Sequence, residues 1–350
     1  MGARACILGC QGQSLTAEER AFFRDVRPWG FILFGRNVGE LDQVRALTDA
    51  LREAVQDEAA LVFVDQEGGR VQRLRPPLAR LRPPAARFGE LYARDPEAGL
   101  EAVFLNHRLI AAELAAAGID ADCAPCLDLR HPETHAVIGE RAFGEDAATV
   151  AALGRAAVDG LLAGGVAPVI KHMPGHGRAT ADSHLETPKV STPLAVLEAT
   201  DFEPFRALAD APMGMTGHIT FTEVDPEAST TQSRHVIQTL IRGWIGFDGL
   251  LMTDDLSMKA LGGDHALRTR RSIEAGCDVA LYGNGALVGE PVRDLMAEIT
   301  QVAENAGELS GRAAERAADA RAAARGVRAF DAEAAQGRLD ALGLGGRLAA

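Results

Sequence analysis

The amino-acid sequence predicts an α/β fold, a (β/α)8 barrel, from three observations. Eight short apolar runs alternate with longer helical patterns, most runs precede such a pattern, and all fall within about 285 residues. An open doubly wound sheet would need a glycine fingerprint after its first strand, and residues 9–12 (GCQG) do not supply one. The barrel is therefore the preferred architecture.

The eight predicted strands are 6–10, 31–35, 61–65, 119–125, 167–172, 213–218, 250–254 and 278–283. Apolar residues spaced by three and four predict helices between them, as in 41–55, 98–116, 148–163 and 194–208. Beyond Asn284 the helical pattern dominates, and the Ala-, Arg- and Glu-rich stretch 313–324 predicts a terminal helix packed outside the barrel. Because no repeat or long linker divides the chain, we expect one barrel domain over 1–350, with roughly 310–350 as a C-terminal helical extension.

Composition excludes several classes of protein. The 350 residues are 47% hydrophobic and 24% charged, which favours a buried core over disorder. A net charge of −13, from 36 Lys and Arg against 49 Asp and Glu, argues against binding to nucleic acid or to anionic membrane surfaces. Positive charge can still be concentrated locally, so an anionic substrate is not excluded.

The N-terminal residues and the cysteines point to a reducing compartment. The first residues lack a charged region followed by an apolar run, and no apolar run is long enough to span a membrane. Five cysteines in a chain of this size do not form a disulfide framework, and we interpret the C-x-x-C of Cys123 and Cys126 as buried core. We therefore expect a cytoplasmic protein.

Polar residues follow nearly every predicted strand. In a barrel, the residues just past the carboxyl ends of the strands line the active-site mouth. Burying so many charged groups for packing alone would cost free energy, so their convergence indicates a site for a polar ligand. The residues in these positions are Arg36, Asp65, Glu67, Arg70, Asp128, Arg141, Lys171, His172, His176, His218, Asp254 and Asp255.

Some of these residues also have structural interpretations. Asp255 is interpreted as a helix N-cap, and the Gly68-Gly69 pair can form a tight turn. His218 alone can be a core histidine. Lys171 and His172 close an apolar strand together and would both lose solvent there, which favours a functional role for the pair.

A metal site is one functional alternative. His172, His176 and His184, with several Asp residues, offer ligands for zinc or another divalent ion. However, no H-x-H closes a strand, no H-E-x-x-H lies on a helix, and Lys171 would place a cation beside the metal. A metal-dependent hydrolase is therefore kept only as an alternative.

Four sequence blocks carry a family resemblance. Residues 171–177 (KHMPGHG) with 181–184 (ADSH) resemble the signature loop of family 3 glycoside hydrolases, and the other blocks are 65–73, 138–141 and 246–258. They appear in the family's order, with Met173 where Phe is usual and Thr253 where Ser is common. The chain has no room for the second domain of the family's β-glucosidases, so it is most similar to the single-domain β-N-acetylglucosaminidases.

The resemblance implies a role for each residue. Asp254 is the expected nucleophile of a retaining mechanism, and His184, oriented by Asp182, is the expected acid/base. An unperturbed histidine titrates near 6.5, so it can donate and accept protons near neutrality. The residues expected to bind the sugar are Asp65, Arg73, Arg141, Lys171 and His172, with His176 and His218 supporting the mouth. Glu67 and Arg70 are interpreted as a structural ion pair.

The resemblance also implies a substrate. Such enzymes remove terminal GlcNAc from GlcNAc-anhydroMurNAc muropeptides in cytoplasmic peptidoglycan recycling, without metal or organic cofactor. The oligomeric state is open, with a monomer favoured. Three alternatives are kept: a phosphorylase, in which His184 would repel phosphate less than a Glu would, the metal-dependent hydrolase, and a sugar-binding barrel without turnover.

Overall fold

Eight parallel strands form a barrel in the computed structural model, which describes residues 2–132, 134–179, 187–285 and 295–348. Consecutive strands are neighbours from the first to the seventh, the eighth pairs with the first, and a bridge between Met252 and Val279 closes the ring. This confirms the predicted barrel. The strands are β1 (Arg4–Gly9), β2 (Pro28–Leu33), β3 (Leu61–Val64), β4 (Ala121–Asp122), β5 (Ala167–Met173), β6 (Met213–Thr216), β7 (Leu250–Met252) and β8 (Ala280–Tyr282).

The barrel strands are buried on both faces because side chains fill the inside and helices cover the outside. All seven residues of β5 are buried, including its two last polar residues, Lys171 and His172. Two short pairs of strands lie outside the barrel. They are Gln66–Gly68 with Val71–Gln72, and Lys189–Val190 with Thr220–Phe221.

The helices surround the barrel, and several of them begin at a polar capping residue. At the first helix, the Thr16 hydroxyl accepts a hydrogen bond from the Glu19 backbone N–H, and the Glu19 carboxylate accepts one from the Thr16 N–H. Both backbone N–H groups thereby gain an acceptor. The described helices are α1 (Ala17–Val26), α2 (Leu41–Val55), α3 (Ala85–Tyr92), α4 (Pro96–Ala116), α5 (Ala147–Ala163), α6 (Leu194–Ala199), α7 (Glu203–Ala207), α8 (Arg234–Val236), which continues as a π-helix (Ile237–Trp244), α9 (His265–Ala275), α10 (Leu295–Ala306), α11 (Gly311–Ala323) and α12 (Ala332–Ala341).

One predicted helix is interrupted. The pattern at 194–208 predicts a single helix, whereas the structure has α6 and α7 with a turn at 200–202 between them. Pro204 lies at the start of α7, where its missing N–H is tolerated, but inside a continuous helix it would remove a hydrogen bond. Asp201, in the turn, points its carboxylate to His131 and Arg178 instead.

The stretch beyond the barrel is helical, as predicted. α11 packs on the outside of the barrel, where Arg321 donates to Asp57 (2.9 Å) and to the Trp29 carbonyl oxygen (3.0 Å). α12 buries Ala335 and Leu339. Among the described residues, none of the helices combines the length and the apolar character needed to cross a membrane.

Candidate functional site

A cavity of about 600 Å³ opens at the carboxyl ends of the barrel strands. Polar side chains from β5, from the residues that follow β3 and β7, and from the loop after β4 converge on it, as expected for this end of a barrel. Its ionisable lining residues are Arg36, Asp65, Glu67, Arg70, Arg73, Arg141, Lys171, His172, His176, Asp254 and Asp255.

Asp65 is held between two cations in the cavity wall. The Lys171 ammonium donates to Oδ1 (2.9 Å), and the Arg73 guanidinium donates to Oδ2 (2.9 Å). Burial alone would raise the pKa of Asp65, but these two cations hold it well below its usual range. Burial likewise opposes the charge of Lys171, yet Asp65 and Glu67 raise the pKa of its ammonium. Asp65 and Lys171 are therefore both charged at neutral pH.

Glu67 joins this network through a different partner from the predicted one. Arg141 donates to both of its carboxylate oxygens (2.8 and 2.7 Å), and Lys171 Nζ lies 2.6 Å from Oε1. Arg141 and Lys171 overcome the effect of burial and lower the pKa of Glu67 to about 2. The predicted Glu67–Arg70 ion pair is wrong, because Arg70 donates to the carbonyl oxygens of Ala136 and Val137.

Asp254 lies just beyond β7 and lines the same cavity. Its Oδ1 accepts a hydrogen bond from the backbone N–H of Asp255 (2.8 Å), which fixes the orientation of the carboxylate. Half-buried at the end of a strand, Asp254 faces the space that the Asp65–Lys171 network bounds on another side. A ligand in the cavity can therefore contact both.

Asp255 does not cap a helix, so that interpretation is wrong. The next helix, α9, begins only at His265. Instead, the Asp255 carboxylate accepts hydrogen bonds from the backbone N–H groups of Ser257 (2.9 Å), Gly283 and Gly285 (both 3.2 Å). Asp255 thus ties the end of β7 to the end of β8, directly beside Asp254.

Most of the chain matches a known protein family. Residues 10–322 match the family described as glycosyl hydrolase family 3 N terminal domain. The chain belongs to glycosyl hydrolase family 3.

Relatives and solved structures agree with this family 3 assignment. A β-hexosaminidase of Xylella fastidiosa is 38% identical over 294 residues, which cover 81% of this chain and 84% of the relative. NagZ from Neisseria gonorrhoeae, solved in complex with N-trifluoroacetyl-D-glucosamine, superposes with a TM-score of 0.82 at 30% identity and covers 98% of this chain and 95% of its own. A family 3 β-N-acetylglucosaminidase from Paenibacillus gives a TM-score of 0.81 at 28% identity, over 95% of this chain and 66% of its own.

The loop that carries the predicted acid/base of this family 3 chain is described only up to residue 179. Asp182 and His184 lie outside the described residues. The glycines before them serve close packing: a Cβ on Gly177 would lie 2.1 Å from the Leu129 carbonyl oxygen, and one on Gly175 would lie 2.9 Å from that of Asp201. Within 173–179, the glycines therefore let the loop lie directly against its neighbours.

His172 lines the cavity with a carboxylate behind it. Its Nδ1 lies 2.6 Å from Asp128 Oδ2, and Asp128 is fully buried. Cys126 Sγ donates to the same oxygen over 3.2 Å. The ligand atoms of these three residues lie within 4.8 Å of one another, as those of a metal site would.

The spacing of that cluster fits hydrogen bonds better than a metal. Two nitrogen or oxygen ligands of one tetrahedral zinc ion lie about 3.3 Å apart, given bonds of about 2.0–2.1 Å. The 2.6 Å between His172 and Asp128 is shorter, and the Cys126 thiol, whose pKa burial raises well above its usual value, is not a ready thiolate ligand. No step is therefore assigned to a metal at this cluster.

His176 and His218 lie close to Asp254 but differ in their hydrogen bonds. His218 Nε2 donates to the Asp255 carbonyl oxygen (3.2 Å), and its Nδ1 accepts from the Thr231 hydroxyl (2.7 Å). Neither ring nitrogen of His176 has a hydrogen-bond partner among the described residues, although its ring lines the cavity. Burial lowers the pKa of His176 to about 4, so the ring is neutral at pH 7.

Sequence reasoning placed Asp128 at a strand end but gave it no role. It also did not single out Phe34, whose ring lines the cavity between the guanidiniums of Arg36 and Arg73, 5.1 and 5.6 Å from its centroid. A charged residue inside the apolar run 123–129 (CAPCLDL) was the available signal for Asp128.

Proposed function

We propose that this family 3 protein is a retaining exo-β-N-acetylglucosaminidase that removes terminal, non-reducing, β-linked GlcNAc. Its membership of family 3 and its 38% identity to a β-hexosaminidase make it a glycoside hydrolase, a β-N-acetylhexosaminidase. The observation that carries the finer proposal is the position of Asp254 in the same cavity as the Asp65–Lys171 network. One wall holds a candidate nucleophile, and the other holds groups suited to sugar hydroxyls.

In the proposed reaction, Asp254 attacks the anomeric carbon and forms a covalent glycosyl-enzyme, which water then hydrolyses with retention of configuration. The hydrogen bond from the Asp255 N–H holds the Asp254 carboxylate in a fixed orientation. Because an oxocarbenium-like transition state is positively charged, a fixed carboxylate beside it stabilises that state more than the substrate.

The network opposite Asp254 is proposed to bind the sugar ring. Asp65 can accept hydrogen bonds from hydroxyl groups, while Arg73, Arg141 and Lys171 can donate them. Each of these cations already pairs with a carboxylate, so the wall presents fixed donors and acceptors without a large excess of charge. This balance suits a neutral, polyhydroxylated sugar.

The acid/base step is proposed for His184. Its imidazole would protonate the leaving oxygen and then deprotonate the attacking water, while Asp182 would orient the ring and stabilise its charged form. The basis of this assignment is the match of residues 171–184 to the family's signature loop.

The proposed substrate is a GlcNAc-anhydroMurNAc muropeptide, and the proposed setting is peptidoglycan recycling in the cytoplasm. We further propose that the chain works as one catalytic barrel over 1–350, as a monomer, and that it requires no cofactor.

The test is product analysis with an aryl β-N-acetylglucosaminide, with and without EDTA, in matched buffers with and without phosphate. Free GlcNAc in both buffers, first appearing as the β-anomer by NMR, supports the retaining hydrolase. GlcNAc-1-phosphate and a phosphate-dependent rate would identify a phosphorylase. Loss of turnover on adding EDTA would identify a metal-dependent hydrolase, and no turnover in any buffer would leave a sugar-binding protein.

A further inference from the structure

We propose that Asp128 is a positioning residue of the sugar site, which decides which ring nitrogen of His172 carries the proton. The link to sugar binding rests on the proposed function. The placement of the proton is a property of the folded chain and can be measured without a substrate.

The Asp128 carboxylate is surrounded by donors. Oδ2 accepts from His172 Nδ1 (2.6 Å) and from Cys126 Sγ (3.2 Å). Oδ1 accepts from the backbone N–H of His176 (2.6 Å) and, more weakly, from that of His172 (3.3 Å). Asp128 is fully buried, so these four hydrogen bonds replace the contacts with water that its carboxylate loses on folding.

Asp128 is ionised under ordinary conditions. Burial alone would raise its pKa, but His172 and His176 hold the pKa of the carboxyl well below its usual range. Among the described residues, the Arg141 guanidinium also interacts electrostatically with Asp128 and favours its charged form. An ionised carboxylate can only accept hydrogen bonds, so the proton between the two side chains belongs to His172 Nδ1.

This placement defines what His172 offers to a ligand. With Nδ1 turned to Asp128, Nε2 is the ring nitrogen left for the cavity that His172 lines. In the proposed state, the ring is neutral, carries its one proton on Nδ1 and presents Nε2 as an acceptor. A sugar hydroxyl at this position must then donate its hydrogen, and an acceptor-only group such as an ether oxygen is rejected.

His172 Nε2 would be a neutral acceptor in a wall whose acceptors Asp65 and Glu67 are already paired with cations. Lys171, Arg73 and Arg141 all present N–H groups to the cavity wall. With the opposite tautomer, His172 would become one more donor beside them. Asp128 thereby sets the pattern of donors and acceptors that the sugar meets.

The chain offers a matched control in Asp201. This aspartate is also buried and pairs with a histidine (His131 Nε2, 2.8 Å). It also contacts the loop 173–179, which contains His176, through Arg178 Nε (2.6 Å). Neither Asp201 nor His131 is among the residues that line the cavity. Asp201→Asn therefore disturbs a comparable buried pair without changing a group that faces the ligand.

The direct experiment is ¹⁵N NMR of the full chain with ¹⁵N-labelled histidine, with the His172 signals assigned by comparison with His172→Gln. We expect the wild-type ring to carry its proton on Nδ1. In Asp128→Asn, the amide oxygen can still accept from the His176 N–H, while the amide NH₂ faces Nδ1 and favours the tautomer protonated on Nε2. Asp201→Asn is expected to leave the His172 signals unchanged.

Kinetics provide the second readout. We expect Asp128→Asn to lower kcat/KM for aryl β-N-acetylglucosaminides by roughly 10- to 100-fold, the usual effect of one mispaired buried hydrogen bond. Asp201→Asn should change it by much less. In a His172→Ala background, Asp128→Asn should have little further effect, because Asp128 acts through that ring.

The proposal is overturned if wild-type His172 carries a proton on Nε2, or if Asp128→Asn and Asp201→Asn lower kcat/KM equally. The wild-type spectrum decides the first point even if Asp128→Asn fails to fold. If the wild-type protein turns over no β-N-acetylglucosaminide but its His172 tautomer depends on Asp128, the proposed function fails and the positioning role stands.

Discussion

Lys171 Nζ lies 2.9 Å from Asp65 Oδ1, which joins the end of β5 to the end of β3 across the intervening strand β4. The same ammonium lies 2.6 Å from Glu67 Oε1. One buried cation thus serves two carboxylates and fixes the relative position of two strand ends in the cavity wall.

Removing that cation should damage both stability and binding. Lys171→Met leaves Asp65 and Glu67 in the wall with one cationic partner each, so we expect a loss of about 3–5 kcal/mol of unfolding free energy. We also expect KM to rise for aryl β-N-acetylglucosaminides. Urea unfolding and steady-state kinetics measure the two effects. As a control, Arg155→Met removes the partner of the exposed Asp210 and should cost no more than about 1 kcal/mol. Equal losses in both variants would contradict the buried network.

The adjacent residues Asp254 and Asp255 should respond in opposite ways to substitution. Asp254→Ala is expected to lower kcat by at least about 10³-fold, because the nucleophile is lost, while the unfolding temperature changes little. Asp255→Ala removes the acceptor of three backbone N–H groups and should cost about 1–3 kcal/mol of stability for each donor left unpaired. Kinetics and thermal unfolding of both variants provide the measurements. Wild-type turnover by Asp254→Ala would refute the nucleophile assignment.

His184→Ala should discriminate between leaving groups. An alkyl leaving group needs protonation, whereas a nitrophenolate leaves with little help, so the loss in kcat/KM should be far larger for the alkyl substrate. A Brønsted plot of kcat/KM against leaving-group pKa measures this and should steepen in the variant. The matched control is His235→Ala, at an exposed histidine. Equal losses for both leaving groups would argue against an acid role.

Acid should destabilise the protein through His107. Burial lowers the pKa of this side chain to about 4, and its Nδ1 donates to the Val103 carbonyl oxygen (2.8 Å). The unfolded chain takes up this proton near pH 6.5 and the folded chain only near pH 4, so stability falls as the pH drops between these values. At pH 5 the cost is about 2 kcal/mol relative to pH 7.

The variant His107→Gln should lose this part of the pH dependence. Urea unfolding at pH 7 and pH 5 gives the difference, and His235→Gln, at an exposed site, should keep the wild-type slope. Parallel pH profiles for wild type and His107→Gln would show that His107 is not the group that titrates.

The barrel was predictable because each strand is an apolar run separated from the next by a helical stretch. The limits of the strands were less predictable. Regular pairing of β4 ends at Asp122, although the run continues to Pro125, which cannot donate to a neighbouring strand. Just after Asp122, the Cys123 N–H still donates to the Val64 carbonyl oxygen (2.8 Å), so the chain stays beside β3 without regular strand geometry.

The partners of the site residues were the part that the sequence could not supply. Local spacing placed Arg70 beside Glu67, but the hairpin at 66–72 turns Arg70 toward the carbonyl oxygens of Ala136 and Val137. Arg141 reaches Glu67 only because the closed barrel brings a distant loop to the same edge. Asp128 likewise meets His172 only in the folded barrel, where the chain after β4 lies beside the end of β5.

The closing bridge between Met252 and Val279 has a consequence for biosynthesis. A chain made from its N-terminus holds β1 and β7 as open strand edges until β8 has left the ribosome, and open edges pair readily with other polypeptides. The strand that precedes Asp254 is therefore exposed late in translation. A chain shortened before Ala280 would keep both edges permanently, so we expect it to aggregate rather than retain partial activity.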